Sequence, residues 1–384
     1  METKMVVKVA DYILSPLGDG TDINYQAIKS GKTSLKRYEH KWGLEEPFVA
    51  SIFDEDVLER LSTEMDIDKS VYTRFECLAI IAAAKALRKL DINASSSDVL
   101  FIISSTKGNV HLLSQRDKST SDYGLSFAAN KIVKWFRNPR TPLVVCNACI
   151  SGLHAQIEAM RFLHANIAKT IVVIAVDMLS PFIVSGFQAF KSLSDEFCRP
   201  FDEERLGLNL GEAAACIIYQ LKDKECLNSS DWIAMRGAVY NDAFHISHPS
   251  KTAEGSWRAL VETLKGTSIN QLTMVNVHGT ATMFNDEMES VALARAGLIN
   301  IPINSLKGYL GHTLGAAGLL ETILTMASLD DGIILGTKGF TTLGVSNPVN
   351  ISANNRTTNG KKFIKLISGF GGCNAAMRFE TVEG

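Results

Sequence analysis

The chain has 384 residues, 46% of them hydrophobic, with 39 basic and 41 acidic side chains and a formal net charge of −2. This length allows a substantial buried core, and the balance of charges excludes the strongly basic surface typical of nucleic-acid-binding proteins and of membrane-bound polybasic proteins. Seven cysteines are scattered along the chain, unlike the dense disulfide framework of a small secreted domain. With no signal peptide or membrane span in the sequence, we expect a soluble, cytoplasmic protein.

Short β-branched runs alternate with helical patterns along the first part of the chain. This alternation predicts an α/β protein with buried, mostly parallel strands. One helical pattern has apolar residues on more than one face, which predicts an interior helix. In chain order the segments are MVVKVA, YQAIKSG, the interior helix FECLAIIAAAKALRKL, then VLFIIS, PLVVCNA, LHAQIEAMRFLHA and TIVVIAV.

The same alternation begins again near residue 231. The polar stretch LKDKECLNSSD suits a surface connection between the two parts. The sequence therefore predicts two α/β halves, residues 1–222 and 223–384, which form one structural unit because each half alone would expose a large apolar sheet face. The segments of the second half are DWIAMRGAVY, SWRALVETL, MVNVHG, FIKLISGFGG and AAMRFE.

The stretch VVCNACISG, residues 144–152, contains two cysteines. A structural zinc site needs two more ligands at comparable spacing, and none follows; a redox pair normally lies wholly at the exposed start of a helix. Cys146 still belongs to the apolar run, whereas Cys149 lies between a strand and a helix, where the helix dipole and free N–H groups favour a thiolate. The pattern allows either a nucleophile at Cys149 or two small buried side chains.

Three later motifs bring polar groups next to small residues, which allow a substrate to approach the backbone closely. VNVHGTAT places His278 at the end of an apolar run, and NSLKGYLGHTLGAAGLLET places Lys307 and His312 before a helix that begins with Gly and Ala. ISGFGGCNAAM is a glycine turn between two strands. Alone, such a histidine is usually structural, and a glycine turn only reverses the chain.

Together and in this order, NACISG, VNVHGTAT, NSLKGYLGHTLGAAG and GFGGCN resemble the elongating β-ketoacyl-acyl carrier protein synthases of the thiolase superfamily. LSPLGDG, GFQAFKSLSDEFCRPFDEERLGLNLGEAA and YNDAFHISHP extend the resemblance nearly end to end. It implies a thiolase-like fold, two similar α/β halves in a layered αβαβα core, and a dimer. It also implies decarboxylative Claisen condensation of an acyl-enzyme with malonyl-acyl carrier protein, giving a 3-oxoacyl-acyl carrier protein in fatty acid, polyketide or aryl polyene biosynthesis.

The resemblance also implies residue roles. Cys149 would accept the acyl group, while His278 and His312 would stabilise the enolate formed on decarboxylation. The backbone N–H groups of Cys149 and Phe370 would form the oxyanion hole, and the Phe370 ring would gate the acyl pocket. The remaining implied roles are an ion pair of Lys307 with Glu321, and support of the glycine turn by Asn374 and Gly371.

The implied partners are an acidic acyl carrier protein and a second subunit, either identical or a related ketosynthase chain. Basic residues near the pocket mouth are candidates for carrier docking: Arg205 in DEERLG, and Lys134 and Arg137 in KIVKWFRNPR. A solvated helix face accounts for the last two equally well. We expect no metal and no bound cofactor, since the carrier's phosphopantetheine holds the substrates.

Some features depart from the family pattern. Asn147, Ile150 and Cys373 are unusual at their positions, and the second thiol suggests a thiolase as an alternative. A thiolase, however, would need an Asn-based motif where this chain has HGTAT. The short stretch from Ser104 to Cys149 is typical of synthases that pair with an inactive chain-length subunit. A non-catalytic partner subunit is therefore a further alternative, although such subunits typically lose the cysteine.

Overall fold

The computed structural model describes residues 4–114, 120–246 and 248–382. The strands within these ranges are β1 Lys4–Ser15, β2 Gly18–Asp19, β3 Lys36–Tyr38, β4 Phe48–Ser51, β5 Val99–Ser104, β6 Leu143–Val145, β7 Thr170–Asp177, β8 Leu210–Gly211, β9 Ala213–Asp223, β10 Trp232–Asn241, β11 Met274–Asn276, β12 Pro302–Asn304, β13 Ile333–Ile334, β14 Asn350–Ile351, β15 Arg356–Thr357, β16 Lys362–Gly369 and β17 Cys373–Thr381. The helices are α1 Thr21–Lys29, α2 Glu55–Glu64, α3 Arg74–Leu87, α4 Leu125–Trp135, α5 Ser151–His164, α6 Pro181–Ala189, α7 Glu254–Leu264, α8 Met283–Arg295, α9 Lys307–Leu310 and α10 Ala317–Asp330.

One large sheet contains most of the strands, in the spatial order β14-β12-β11-β16-β17-β10-β1-β9-β7-β5-β6, with β2 beside β1. The strands β6-β5-β7-β9-β1 all come from residues 4–223. Counted in chain order within this set, they lie in the sheet as third, second, fourth, fifth and first. The order β12-β11-β16-β17-β10 repeats that arrangement with the strands of residues 232–381. The two sets meet where β1 pairs with β10. The division at residues 222 and 223 stays a prediction.

The prediction of mostly parallel strands is wrong at the centre of this sheet. β5 is parallel to β6 and β7, and β11 is parallel to β12 and β16. In contrast, β1, β9, β10 and β17 pair in antiparallel fashion. The connections explain the difference, because a short turn at residues 370–372 joins β16 to β17 with no helix between them to return the chain.

The faces of β7 show how the helices and strands are layered. Ile171, Val173 and Ala175 belong to the same buried cluster as residues of α5 and α10, whereas Val172 and Ile174 belong to the cluster that contains α3. Because neighbouring side chains of a strand point to opposite faces, α3 and the α5–α10 pair cover opposite sides of the sheet. Burial on both faces explains why this strand reads as one apolar run.

The central layer consists of α5 and α10, which contact each other and strands of both sets. α3 packs on β1, β7 and β9, while α7 packs on β10, β16 and β17 and contacts α8. The architecture is the layered αβαβα core that the resemblance implies. α3 is buried over most of its surface, as predicted, and Thr73 and Glu76 form a capping box at its start. Within the described ranges, no helix is long and apolar enough to cross a membrane.

Candidate active site

Cys149 lies in the tight connection between β6 and α5, on the central layer. Ala148, which precedes it, has a φ of 44°, a left-handed conformation that is costly for a residue with a side chain. The Ser151 hydroxyl accepts the N–H of Asn147 at 2.8 Å and donates to the Ala148 carbonyl. This turn holds the Cys149 thiol at the start of α5, where the side chain is 8% exposed.

His278 follows β11, and its backbone is fixed by a buried carboxylate. Glu289 of α8 accepts the N–H groups of His278 and Gly279, each at 2.7 Å. His312 lies between α9 and α10, where its N–H donates to the Asn209 carbonyl at 2.7 Å. The structure therefore brings together two histidines from motifs that are distant in the sequence.

The thiol and the two imidazoles form one cluster. The Cys149 Sγ and a ring nitrogen from each of His278 and His312 all lie within 4.8 Å of one another. The two rings are nearly perpendicular, with centroids 4.9 Å apart. Thiolate and imidazole are also ligand types that zinc binds, and the expectation that the site needs no metal stays a prediction.

Both imidazoles are neutral donors or acceptors in this environment. Burial, followed by the nearby Lys307 charge, holds the pKa of His278 and that of His312 well below the ordinary histidine value. Among the described residues, Nδ1 of His278 and both ring nitrogens of His312 have no hydrogen-bond partner. Buried polar atoms normally have partners, so these nitrogens are suited to receive a substrate oxygen or the thiol.

The resting form of Cys149 differs from the expectation based on the helix terminus. Burial raises the pKa of the Cys149 thiol to about 11, although the charges of Lys107 and Lys307 and the Phe370 N–H lower it. Desolvation of the charged form thus outweighs the groups that favour a thiolate. The raised pKa therefore favours the protonated thiol at neutral pH.

Lys307 and Glu321 form the predicted ion pair, and the structure adds a second lysine that the sequence analysis missed. Glu321 of α10 pairs through Oε1 with Lys307 and through Oε2 with Lys365 at 2.5 Å. All three side chains are at most 3% exposed. A signal was present, because the run FIKLIS places one lysine at the centre of an otherwise apolar strand.

The glycine turn after β16 approaches the nucleophile from the opposite side. The backbone N–H of Phe370 points to the Cys149 sulfur. A Cβ atom on Gly369 would lie 3.0 Å from the Cys149 nitrogen, so the strand comes this close because the residue has no side chain. The Phe370 N–H therefore lies beside the thiol, and the oxyanion hole that the resemblance implies for Cys149 and Phe370 stays a prediction.

Asn374, at the start of β17, connects the glycine turn to α7 and β16. Its Nδ2 donates to the Gly372 carbonyl at 2.8 Å, and its Oδ1 accepts the hydroxyls of Ser256 and Ser368 at 2.6 and 2.8 Å. Gly371 has a φ of 85°, which a residue with a side chain rarely adopts. Gly371 therefore lies in the turn that carries Phe370, and Asn374 contacts that turn from the start of β17.

The cluster lies in a cavity of about 190 Å³ that also contains the Phe370 ring. This ring stacks on Phe187, with centroids 5.6 Å apart, and meets Phe190 edge to face. Lys191, an exposed basic residue not considered in the sequence analysis, also lines the cavity. Its rim contains several exposed apolar residues: Phe190, Leu206, Ile246, Met283 and Phe284.

The structure argues against the predicted docking role of Arg205. This side chain is 3% exposed, and its guanidinium donates to the backbone carbonyls of Asp202 and Gly344, so it serves the interior and not the surface. Lys134 and Arg137 are exposed at the end of α4, and neither lines the cavity. Their docking role stays a prediction.

Cys146 and Cys373 lie in different environments. Cys146 is exposed, with its sulfur 3.7 Å from the Thr106 carbonyl. Cys373 is buried beside the nucleophile, and its sulfur contacts the carbonyls of Phe370 and Asn147 at 3.4 and 3.7 Å. The unusual residues Asn147 and Cys373 are therefore neighbours next to the turn that holds Cys149.

Comparison with known proteins agrees with this geometry. A putative mitochondrial 3-oxoacyl-[acyl-carrier-protein] synthase of Schizosaccharomyces pombe is 29% identical over 61% of this chain and 60% of its own length. A 3-oxoacyl-[acyl-carrier-protein] synthase 2 of Coxiella burnetii is 27% identical over 86% of this chain and 87% of its own length.

Solved structures of ketosynthases share the fold over nearly the whole chain. A ketosynthase in complex with its chain length factor from Xenorhabdus doucetiae has a TM-score of 0.85 at 20% identity, covering 99% of this chain and 98% of that chain. A type II polyketide synthase acyl-carrier protein in complex with its ketosynthase bound to the hexaketide gives a TM-score of 0.82 at 21% identity, covering 99% of this chain and 100% of that chain.

Two family models match in order along the sequence. The model of the β-ketoacyl synthase N-terminal domain matches residues 4–224, and that of the β-ketoacyl synthase C-terminal domain matches residues 233–341. The matched regions include Cys149, His278 and His312. The chain therefore belongs to the β-ketoacyl synthase family of condensing enzymes.

Proposed function

We propose that this chain condenses an acyl group held on Cys149 with a malonyl group delivered by an acyl carrier protein. The observation that carries the proposal is the cluster of Cys149, His278 and His312 at the start of a buried helix, with the Phe370 N–H beside the sulfur. The thiol supplies a nucleophile, the imidazoles supply neutral donors, and the backbone supplies an oxyanion hole.

In the first half-reaction, the Cys149 sulfur attacks the thioester carbonyl of the acyl-carrier protein. The sulfur–carbon bond to Cys149 forms, the bond to the phosphopantetheine sulfur breaks, and the thiol proton passes overall to the released carrier. The N–H groups of Cys149 and Phe370 would hold the oxyanion of the tetrahedral intermediate. Because the thiol is protonated at rest, proton transfer must accompany the attack.

In the second half-reaction, His278 and His312 would donate to the thioester oxygen of the malonyl-carrier protein. The bond to the carboxylate breaks, carbon dioxide leaves, and its electron pair forms an enolate. The enolate carbon attacks the acyl carbonyl on Cys149, and breaking the carbon–sulfur bond returns the thiolate, which regains a proton. The product is a 3-oxoacyl-acyl carrier protein one two-carbon unit longer.

The proposed partners are an acyl carrier protein and a second ketosynthase chain. The related structures support both, since one is a ketosynthase with its chain length factor and the other a ketosynthase with an acyl-carrier protein. Presence of the complete Cys149, His278 and His312 set favours the catalytic member of such a pair over an inactive one. Fatty acid, polyketide and aryl polyene assembly remain the proposed pathways, all using substrates carried on phosphopantetheine.

Intact-mass spectrometry after incubation with a panel of acyl-carrier proteins tests this proposal. Wild type should gain the mass of one acyl group, and Cys149→Ala should gain none, while Cys146→Ala, which removes an exposed thiol nearby, should still be acylated. Malonyl-carrier protein should then release the acyl group as a longer 3-oxoacyl product. Wild type that accepts no acyl group, together with unchanged pathway product from the Cys149→Ala variant, would favour the non-catalytic subunit.

A further inference from the structure

Lys365 is a buried charged residue in the middle of β16, on the side of the strand that faces the central layer of α5 and α10. Its neighbours two residues away on the same face, Phe363 and Ile367, belong to the cluster that contains α5 and α10. Lys365 itself has no solvent exposure. A lysine is almost never fully buried unless it is paired, so its partners indicate why it is tolerated there.

The ammonium group of Lys365 joins two elements of the site. It donates to Oε2 of Glu321 at 2.5 Å and to the backbone carbonyl of Val277 at 3.2 Å. Val277 immediately precedes His278, so the same side chain contacts the segment that carries one imidazole and the helix that follows the other. Lys307 occupies Oε1 of Glu321 without needing Lys365, so the second lysine is not required to neutralise the carboxylate.

Two buried lysine charges act on the imidazoles and lower the pKa of each. Lys307 from α9 and Lys365 from β16 share one carboxylate, Glu321 from α10. Glu289 from α8 also faces His278, but burial and the charge of Asp286 raise the pKa of Glu289 to about 7. Burial lowers the pKa of Lys365 to about 8, so it is charged at neutral and acidic pH. Cys149, the third member of the cluster, is a protonated thiol at rest.

We propose that Lys365 is a positioning residue for the decarboxylation step: it anchors the Val277 carbonyl, and its positive charge adds to burial and to the Lys307 charge in keeping His278 and His312 uncharged during turnover. The proposal rests on the proposed function. A neutral imidazole N–H stabilises the enolate yet is a poor acid, whereas an imidazolium can donate its proton to the enolate carbon. That proton transfer ends the reaction as an acetyl-carrier protein, because the carbon that should attack the acyl group now holds a hydrogen.

The proposal is tested by histidine protonation and by the fate of the malonyl unit. Wild type, Lys365→Met and the charge-preserving Lys365→Arg are compared from pH 5 to 9. Nitrogen-15 NMR of labelled histidine reports the protonation of both imidazoles, with signals assigned from His278→Gln and His312→Gln. Mass spectrometry measures the ratio of acetyl-carrier to condensed product formed from malonyl-carrier protein.

In wild type both imidazoles should stay neutral at pH values where an ordinary histidine is protonated. In Lys365→Met at least one should protonate at a pH higher by on the order of one unit, and acetyl-carrier protein should rise below that pH. Lys365→Arg should behave like wild type. Equal titration and equal product ratios in wild type and Lys365→Met would overturn the proposal.

This design distinguishes failure of the Lys365 proposal from failure of the proposed function. If Lys365→Met does not fold, Lys365→Gln takes its place, because its amide can still donate to the Val277 carbonyl while the charge is removed. Imidazoles that titrate in Lys365→Gln as they do in wild type would overturn the proposal. The NMR measurement needs no turnover. Wild type that is never acylated would therefore defeat the proposed function, while the role of the Lys365 charge would still be read from the imidazoles.

Discussion

A Cβ atom on Gly152 would lie 2.6 Å from the carbonyl oxygen of Gly315. Contacts this short do not occur between real Cβ atoms and backbone, so the start of α5 and the segment leading into α10 meet through bare main chain. Cys149 precedes Gly152 by one turn, and His312 precedes Gly315 by the same number of residues. The separation of nucleophile and imidazole therefore depends on this contact.

Replacement of Gly152 by Ala should push α5 and α10 apart. Overpacking of this kind lowers the free energy of unfolding by about 1 to 3 kcal/mol. Acylation of Cys149 should also slow, because the distance between its sulfur and the imidazoles increases. Urea unfolding and intact-mass kinetics measure the two effects. Gly186→Ala in α6 is the matched control, since its new methyl group would meet no atom within 4 Å. Similar behaviour of the two variants would contradict the packing argument.

Alkylation of Cys149 by iodoacetamide should follow the raised thiol pKa of about 11. Only the thiolate reacts, so between pH 7 and 10 the rate should increase about tenfold per pH unit and show no plateau. Peptide mass spectrometry separates this residue from the exposed Cys146 and Cys226. A Cys149 rate that levels off near neutral pH would indicate a resting thiolate instead.

Glu321→Gln should be among the most destabilising single changes in the core. It leaves the Lys307 and Lys365 ammonium groups buried without their carboxylate, which costs about 3 to 5 kcal/mol. The two lysine charges hold the pKa of Glu321 below its ordinary value despite burial, so its contribution is present at neutral pH and is lost as pH falls through the folded pKa. Urea unfolding at pH 7 and pH 4 measures both points.

Glu262→Gln provides the control for that experiment. Glu262 also pairs with two cations, Arg236 and Lys265, but on the surface. Solvent screening makes such pairs contribute little, so the unfolding midpoint should hardly change. If Glu321→Gln shifted the unfolding midpoint as little as Glu262→Gln does, the buried lysines would tolerate the loss of their carboxylate.

Lys191→Glu should weaken the productive encounter with an acidic carrier protein. Lys191 is exposed and lines the cavity, so reversing its charge should raise KM several-fold with little change in kcat, and more strongly at low salt. Steady-state kinetics at two ionic strengths measure this. Lys134 and Arg137 lie outside the cavity lining, so Lys134→Glu and Arg137→Glu are the comparison variants. An equal increase in KM in either variant would indicate that the carrier docks at the end of α4.

Cys149 and His278 could be placed from the sequence because each follows an apolar strand-like run, and His312 because it precedes a helix that begins with Gly and Ala. The resemblance brought the three residues together. Strand direction could not be read from the same runs, since buried parallel and antiparallel strands are equally apolar. Arg205 shows a second limit. Its surroundings in the sequence are charged, yet its guanidinium is buried against the carbonyl of nearby Asp202 and that of Gly344, which is distant in the sequence. The resting state of Cys149 was also hidden, because burial depends on residues far along the chain.

Cys149 follows a strand of the first set, and His278 and His312 follow strands of the second, with α5 and α10 in contact between them. A nascent or cleaved chain that contains only the first set would therefore present Cys149 without either imidazole. With the residue roles proposed above, such a fragment could form a thioester at most, and it could not extend it. For this chain, completion of the tertiary structure and the ability to build carbon–carbon bonds are acquired in a single step.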